Sequence, residues 1–341
     1  MKVLDGYVAH LGLLGREVEV SAEIYRTIRQ LGDSRPLLAD AVRVIMKSAP
    51  DSEGDFGLLP YAIVESLGGD PDLALPLVAA SRIWRVGAQV SHELASHAAD
   101  GLLSGSARAA SSTCLAMVPF MVFEQHRLEP RLRADWTREV ADSSLDAAEC
   151  WVADRVWPVG AASWKDAIAA CIGRAGISYA RDAAMAARLA DADHESVRGW
   201  RLFGRHFGVL RQLAAERIEG RLISDDELRN GVNTALISHA SEMVKDGKEK
   251  EALLALRLRA QRDVASRVEI RQYLGTSRMT GSYNRRISAM HRQLSVLLDE
   301  LTSPSVAKDL IHWMLDRAAD ESKIHSMNDG GCDLSSRNVT C

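Results

Sequence analysis

Apolar residues recur at helical spacing along almost the whole chain, and no run of alternating β-branched residues interrupts them. Turn signals divide this pattern into segments: Gly32-Asp33-Ser34 ends the first helix, and Asp70-Pro71 combines a capping side chain with a proline suited to a first helical turn. A chain built only from helices must bury their apolar faces against one another. The sequence therefore predicts an all-α fold, a single large bundle of about a dozen helices.

The helical pattern also sets the expected domain limits. It is lost near Ser326, so we predict one helical domain over residues 1–325 and a disordered C-terminal tail over residues 326–341. Within the domain, residues 101–112 are rich in Gly, Ala and Ser and are interpreted as a mobile loop. Residues 228–244 are predicted to form one helix, which Asp225 or Asp226 caps.

Composition and charge disfavour several classes of protein. The chain is 47% hydrophobic and 26% charged, which is typical of globular proteins, and its net charge of −4 gives no sign of a nucleic-acid partner. No apolar run reaches the roughly 18 residues of a membrane span, and the N-terminus lacks the apolar core of a signal peptide. Five scattered cysteines without CxxC spacing favour reduced thiols, so a cytoplasmic location is predicted.

The segment from Trp200 to Gly231 carries the most specific pattern in the chain. It is interpreted as a long helix, a short loop and the start of another helix. Gly204 and Gly208 lie four apart in the interior of the long helix, where each costs roughly 1 kcal/mol relative to Ala. A close approach of another helix or of a ligand would compensate for that cost. Polar and small residues recur along one face of the same helix, namely Arg205, Gly208, Gln212, Glu216 and Glu219.

This segment resembles the second aspartate-rich helix of the trans-isoprenyl diphosphate synthases. In that family a Gly-Arg-x-x-Gly run leads into a Gln and then into Asp-Asp-x-x-Asp. Here the run is Gly204-Arg205-His206-Phe207-Gly208 and the glutamine is Gln212. The three aspartate positions are occupied by Ala215, Glu216 and Glu219.

The resemblance extends in matching order from about Arg35 to Leu301. Arg35-Pro36 resembles the end of the family's Gly-Gly-Lys-Arg-x-Arg-Pro motif, which grips the diphosphate of the homoallylic substrate, although the other basic residues of that motif are absent. Arg174 stands where the family has a diphosphate-contacting Lys. The first aspartate-rich motif falls either on Ser91–Ser96, which leaves Glu93 as its carboxylate, or later, which leaves Asp100.

The resemblance implies the isoprenoid synthase fold, with helices that surround a deep apolar cavity. Two facing helices would present carboxylates, and magnesium ions would bridge these carboxylates to a substrate diphosphate. It also implies a homodimer, or a heterodimer with an active synthase. The implied magnesium ligands are Glu93, Glu216, Glu219 and Asp100, with the three glutamates as catalytic residues; the implied diphosphate contacts are Arg35, Arg174, Arg205 and Gln212, and the secondary candidates are His92, Ser96 and His97.

Each of these residues also has an ordinary structural explanation. Glu216 and Glu219 fit a solvated helix face paired with neighbouring arginines, and His92 with Glu93 fits a polar pair of no catalytic use. Arg35, Arg174 and Arg205 are unremarkable as surface residues. The two histidines of the first motif region, His92 and His97, are five apart, whereas the zinc-protease motif needs them four apart on one helical face.

Three hypotheses about function remain open from the sequence. The first is an unusual enzyme that ionises an allylic prenyl diphosphate or transfers its prenyl group, in the manner of a terpene cyclase or prenyltransferase of secondary metabolism. The second is a catalytically silent partner subunit of an active prenyl diphosphate synthase. The third is a metal-independent isoprenoid cyclase or isomerase, in which a carboxyl group with a raised pKa acts as a general acid.

Overall fold

A computed structural model describes residues 2–48, 54–96, 102–156, 163–216 and 223–324. Side chains are described for residues 15–48, 54–94, 105–153, 163–216, 223–225 and 227–324. The described residues are helical and contain no strand, which confirms the all-α prediction. The first half of the chain forms α1 (Lys2–Ser34), α2 (Pro36–Ser48), α3 (Leu59–Ser66), α4 (Leu75–Ser96), α5 (Leu102–Ala116), α6 (Val118–Gln125) and α7 (Pro130–Val156).

Most helices of the second half begin at a side chain that accepts a hydrogen bond from the backbone of the first turn. Asp193, Thr234, Asp263 and Ser305 act in this way, and Ser163 forms a reciprocal capping box with Asp166. These helices are α8 (Trp164–Cys171), α9 (Ile177–Leu189), α10 (His194–Ala215), α11 (Asp225–Arg229), α12 (Ala235–Met243), α13 (Gly247–Ala260), α14 (Val264–Leu274), α15 (Ser277–Leu301) and α16 (Val306–Ser322). Five residues of π-helix, Ile172–Gly176, join α8 to α9.

The centre of the bundle is the antiparallel pair α9 and α10. A Cβ atom added at Gly204 would lie 2.2 Å from the carbonyl oxygen of Tyr179, and one added at Gly208 would lie 2.8 Å from that of Ala175. Only glycine permits this approach of the two backbones. The predicted compensation for the two helix-interior glycines is therefore confirmed, and the partner is another helix.

Two predictions about individual segments are wrong. Residues 102–112 belong to α5 and do not form a loop, because Ala110 and Cys114 are fully buried and Cys114 packs into the space that Gly87 leaves on α4. Residues 228–244 do not form one helix. The chain turns at Gly231, whose φ of 66° lies in the left-handed region, and α12 starts again after Thr234.

Residues 326–341 lie outside the described residues, so the tail stays a prediction. Among the helices of the described residues, none is by itself both long and apolar enough to cross a membrane. The pair Gly105–Ala116 and Val118–Gln125, bent by 43°, meets both criteria jointly.

Candidate functional site

A cavity of about 850 Å³ lies between α1, α2 and α4 on one side and the π-helical turn, α10 and α16 on the other. Its walls mix apolar and charged groups. The apolar part includes Ile24, Tyr25, Ile28, Met46, Trp84, Val86 and Trp151. The charged and polar part includes Glu17, Arg43, Lys47, Arg82, Arg85, Gln89, His92, Glu93, Arg174, Ser178, Arg211, Gln212 and Glu321.

Helical spacing explains which residues of α4 reach the cavity. Arg82, Arg85, Gln89 and His92 follow one another at steps of three or four, Glu93 lies four residues after Gln89, and all five line it. The predicted site residues Glu93 and His92 are thus placed on the cavity wall. The amide of Gln89 donates a hydrogen bond of 3.0 Å to a carboxylate oxygen of Glu93.

The second predicted carboxylate, Glu216, does not line the cavity. Its side chain is only 9% exposed and lies beside Arg174, whose guanidinium is 3.3 Å from one of its oxygens. Its other oxygen accepts a 3.0 Å hydrogen bond from the backbone N–H of Ala235 at the start of α12. Glu216 therefore ties α10 to the π-helical turn and to α12. Glu216 is therefore neither a ligand that faces the cavity nor part of a solvated helix face.

Burial raises the pKa of Glu216 above its ordinary value, and the nearby Arg174 guanidinium opposes this shift without cancelling it. Ala215, at the first aspartate position of the resemblance, lines the cavity. Glu219, Asp100 and His97 lie outside the described residues, and so does the side chain of Ser96.

Arg174 reaches the cavity from the π-helical turn Ile172–Gly176. An extra residue in a helical turn changes the direction of the side chains that follow, which is why such turns recur at functional sites. The turn packs closely on α7, since a Cβ added at Gly173 would lie 2.5 Å from Cβ of Cys150. The predicted diphosphate contacts Arg174 and Gln212 therefore lie on the same cavity as Glu93.

Arg35 and Arg205, the other two predicted diphosphate contacts, are not among the lining residues. Both are exposed, and the guanidinium of Arg35 donates a 2.8 Å hydrogen bond to the hydroxyl of its neighbour Ser34. The structure does not bring these two arginines to the cavity.

Three arginines on α4 and α10 that line the cavity were missed by the sequence interpretation. Arg211, on α10, stacks over the ring of Phe56 with 3.7 Å between the guanidinium carbon and the ring centroid, and it forms an ion pair with Glu321. Arg82 forms a paired contact with Glu17, and Arg85 forms one with Asp182. Their positions in the sequence could have indicated that they belong to the site. Arg211 directly precedes Gln212, and the other two fall on the same face of α4 as Glu93.

The fold is shared with enzymes of isoprenoid chain synthesis. A geranylgeranyl pyrophosphate synthetase from Pyrococcus horikoshii Ot3 is 15% identical, with a TM-score of 0.75 over 91% of this chain and 98% of that one. A decaprenyl diphosphate synthase from Rhodobacter capsulatus is 12% identical, with a TM-score of 0.76 over 92% and 99%. The chain has the isoprenoid synthase fold. No family model and no curated protein sequence matches it.

A third protein of this fold has been crystallised with an isoprenoid ligand. The geranylgeranyl pyrophosphate synthase of Corynebacterium glutamicum was crystallised with calcium and isoprenyl diphosphate; it is 14% identical, with a TM-score of 0.75 over 92% of this chain and 97% of that one. Identities this low establish a common fold and leave the activity of this chain to be argued from its own residues.

The described residues of this isoprenoid synthase fold do not fit a magnesium cluster. Within them, no group of three or more His, Cys, Asp and Glu side chains is placed to hold a metal ion. Of the two predicted carboxylates that are described, Glu93 is on the wall and Glu216 is held by Arg174 and the N–H of Ala235. Magnesium needs hard oxygen ligands in near-octahedral array, and the single carboxylate of Glu93 does not supply it.

Proposed function

We propose that this chain binds an allylic prenyl diphosphate in its central cavity and ionises it or transfers its prenyl group. The observation that carries the proposal is one cavity of about 850 Å³ that joins an apolar wall to the guanidinium groups of Arg174 and Arg211. A prenyl diphosphate has the same two parts, an apolar chain and a compact polyanion. The Corynebacterium glutamicum synthase, which was crystallised with calcium and isoprenyl diphosphate, supports this assignment.

In the proposed complex the diphosphate lies against Arg174, Arg211 and Gln212. Guanidinium groups present several N–H donors in a fixed plane and bind phosphate oxygens in pairs. The prenyl chain extends along the apolar wall, which includes Ile24, Ile28 and Trp84. Burial of its methyl and methylene groups supplies most of the affinity, at about 0.8 kcal/mol for each buried CH₂.

The proposed reaction begins when the allylic carbon–oxygen bond breaks. The electron pair stays on the departing diphosphate, where the guanidinium groups offset the developing charge, and the allylic carbon is left as a cation. That cation then loses a proton to a base or is attacked by an acceptor. His92 and Glu93 lie on the same cavity and are the proposed bases.

The test is to incubate the protein with geranyl, farnesyl and geranylgeranyl diphosphate and to measure diphosphate release and prenyl products by mass spectrometry. Parallel reactions contain magnesium or an excess of EDTA. We expect release from at least one substrate under both conditions, because guanidinium groups of the chain face the diphosphate. Release that stops completely in EDTA would contradict this role of the arginines, and no binding of any substrate would contradict the function.

A second candidate is a catalytically silent partner subunit of an active prenyl diphosphate synthase. It is favoured by the second motif, in which Ala215 faces the cavity and Glu216 is held by a structural ion pair. Under this alternative the protein binds prenyl diphosphates without consuming them and changes the product length of an aspartate-rich synthase when the two are mixed. We propose a cytoplasmic homodimer for the enzyme and a heterodimer for the silent subunit.

A further inference from the structure

Arg211, one of the proposed diphosphate contacts, is paired with a carboxylate that also belongs to the cavity wall. Its guanidinium donates a hydrogen bond to Oε2 of Glu321, near the end of α16. The other oxygen, Oε1, accepts a 2.9 Å hydrogen bond from Nε of Arg317, one turn earlier on the same helix. Glu321 lines the cavity together with Arg211, and its side chain is 36% exposed. A ligand that approaches Arg211 therefore also approaches a carboxylate.

The carboxylates that pair with the two proposed diphosphate arginines differ in position. Glu216, the partner of Arg174, is 9% exposed and is not one of the residues that line the cavity. Glu321, the partner of Arg211, is a lining residue with four times that exposure. Of these two carboxylates, Glu321 is therefore the one that an anion in the cavity meets.

A buried aromatic ring holds Arg211 independently of the charge of Glu321. The guanidinium carbon of Arg211 lies 3.7 Å from the ring centroid of Phe56, which is almost completely buried. The ring of Phe56 packs in turn against Phe207, one turn before Arg211 on α10, with 6.0 Å between the ring centroids. Stacking of a guanidinium on an aromatic face is itself stabilising. Loss of the negative charge of Glu321 should therefore leave Arg211 in place.

The charge of Glu321 opposes any anion that binds at Arg211. Like charges that lie a few ångströms apart in a partly buried site repel one another more strongly than they do in water. The repulsion grows during the proposed reaction, because the electron pair of the broken carbon–oxygen bond stays on the diphosphate and adds a negative charge to it. Glu321 therefore disfavours the free diphosphate more than the prenyl diphosphate.

We propose that Glu321 is a specificity-determining residue that competes with diphosphate for Arg211 and so promotes release of the free diphosphate. Arg211 pairs with Glu321 when the cavity holds no anion, and it exchanges this partner for phosphate oxygens when a diphosphate binds. Glu321 then keeps Arg317 as its counter-charge. The inference rests on the proposed function, because it places the diphosphate against Arg211.

The test is calorimetric titration of the unaltered protein and of Glu321→Gln with inorganic pyrophosphate and with geranyl diphosphate, both in EDTA. We expect Glu321→Gln to bind pyrophosphate at least about tenfold more tightly, and geranyl diphosphate more tightly by a smaller factor. Glu321→Ala should also tighten pyrophosphate, since Phe56 still holds Arg211. The matched control is Asp320→Asn, which removes the exposed carboxylate next in sequence, paired with Lys323 at 2.9 Å, and should change both affinities by less than about twofold.

A second set of variants links the effect to Arg211. In an Arg211→Met background, Glu321→Gln should tighten pyrophosphate much less than it does in the unaltered protein, because the competition has been removed.

The outcomes separate this inference from the proposed function. Pyrophosphate affinity that is unchanged or weaker in both Glu321→Gln and Glu321→Ala overturns the competing role, since a residue that only positions Arg211 would weaken binding when it is lost. If the unaltered protein nevertheless releases diphosphate from a prenyl substrate, the proposed function stands without this role. Tighter pyrophosphate binding that depends on Arg211, in a protein that binds no prenyl diphosphate, retains the role of Glu321 and overturns the proposed function.

Discussion

At the scale of single residues, the outcome for Glu216 changes the interpretation of the site most. The sequence correctly marks it as a special position, since it is the acidic residue that follows Gln212 at the spacing of the second motif. Sequence alone does not reveal that its carboxylate is turned toward the π-helical turn, because that depends on Arg174 and Ala235, which are distant along the chain. Its neighbour Ala215 takes the place on the cavity wall.

Substitution of Glu216 should separate its structural contacts from its charge. Glu216→Ala leaves the N–H of Ala235 without an acceptor and should lower the free energy of unfolding by about 1–3 kcal/mol. Glu216→Gln keeps an acceptor oxygen and should cost clearly less. Urea denaturation measures both, with Glu93→Ala as the control on the cavity wall, which should change stability little. A larger loss for Glu93→Ala than for Glu216→Ala would contradict this assignment.

The same carboxyl group should leave a trace in the pH dependence of stability. Because its pKa in the folded protein is raised above the ordinary value of 4.5, its contribution is fully present below pH 4.5 and is lost as the pH rises through the folded pKa. As the pH rises through this range, the unaltered protein should therefore lose stability relative to Glu216→Gln, whose side chain does not titrate. A difference that stays constant with pH would show that the pKa is not raised.

At the scale of elements, the pairing of α9 with α10 sets the position of the site. The two-glycine spacing on α10 predicted a close partner from sequence, and the approach of the Tyr179 and Ala175 carbonyls fulfils it. The loop expected over residues 101–112 is the opposite case, in which local sequence gave the wrong prediction. Gly and Ser lower helix propensity, but Cys114 of α5 packs against Gly87 of α4, and this long-range contact is invisible in local sequence.

Glycine substitutions test how tightly these helices are packed. Gly204→Ala places a Cβ 2.2 Å from a backbone oxygen that cannot rotate away, so α9 and α10 must separate. We expect a loss of about 1–3 kcal/mol in the free energy of unfolding, the usual cost of overpacking. Gly105→Ala on α5 is the control, since its Cβ would meet nothing within 4 Å and should stabilise the helix by up to about 1 kcal/mol. Equal effects of the two changes would contradict the packing.

At the scale of the whole molecule, the fold was predictable and the chemistry of the cavity was predictable only in part. Helical period and the order of the degraded motifs gave the isoprenoid synthase fold, which the structural relatives confirm. The motifs also led to Glu93, Arg174 and Gln212, which meet on one cavity. Arg85 and Arg211 were missed because their positions depend on how α4, α10 and α16 pack, and no local motif marks them.

Arginines that line the cavity and exposed arginines should respond differently to charge removal. Arg174→Met and Arg211→Met should each weaken the binding of geranyl diphosphate by about tenfold or more, since each removes a charge-assisted contact to phosphate. Arg35→Met and Arg205→Met, which alter exposed residues away from the cavity, should leave its affinity unchanged within about twofold. Calorimetric titration provides the comparison, and a stronger effect at Arg35 than at Arg211 would place the diphosphate elsewhere.

The most direct measurement is a crystal structure of the protein with farnesyl thiolodiphosphate, a farnesyl diphosphate analogue that resists ionisation. The account predicts its diphosphate within hydrogen-bond distance of Arg174 and Arg211, and its prenyl chain against Trp84 and Ile28. A ligand bound at any other surface, or a cavity that stays without ligand at saturating concentration, would contradict the assignment of this cavity to a prenyl diphosphate.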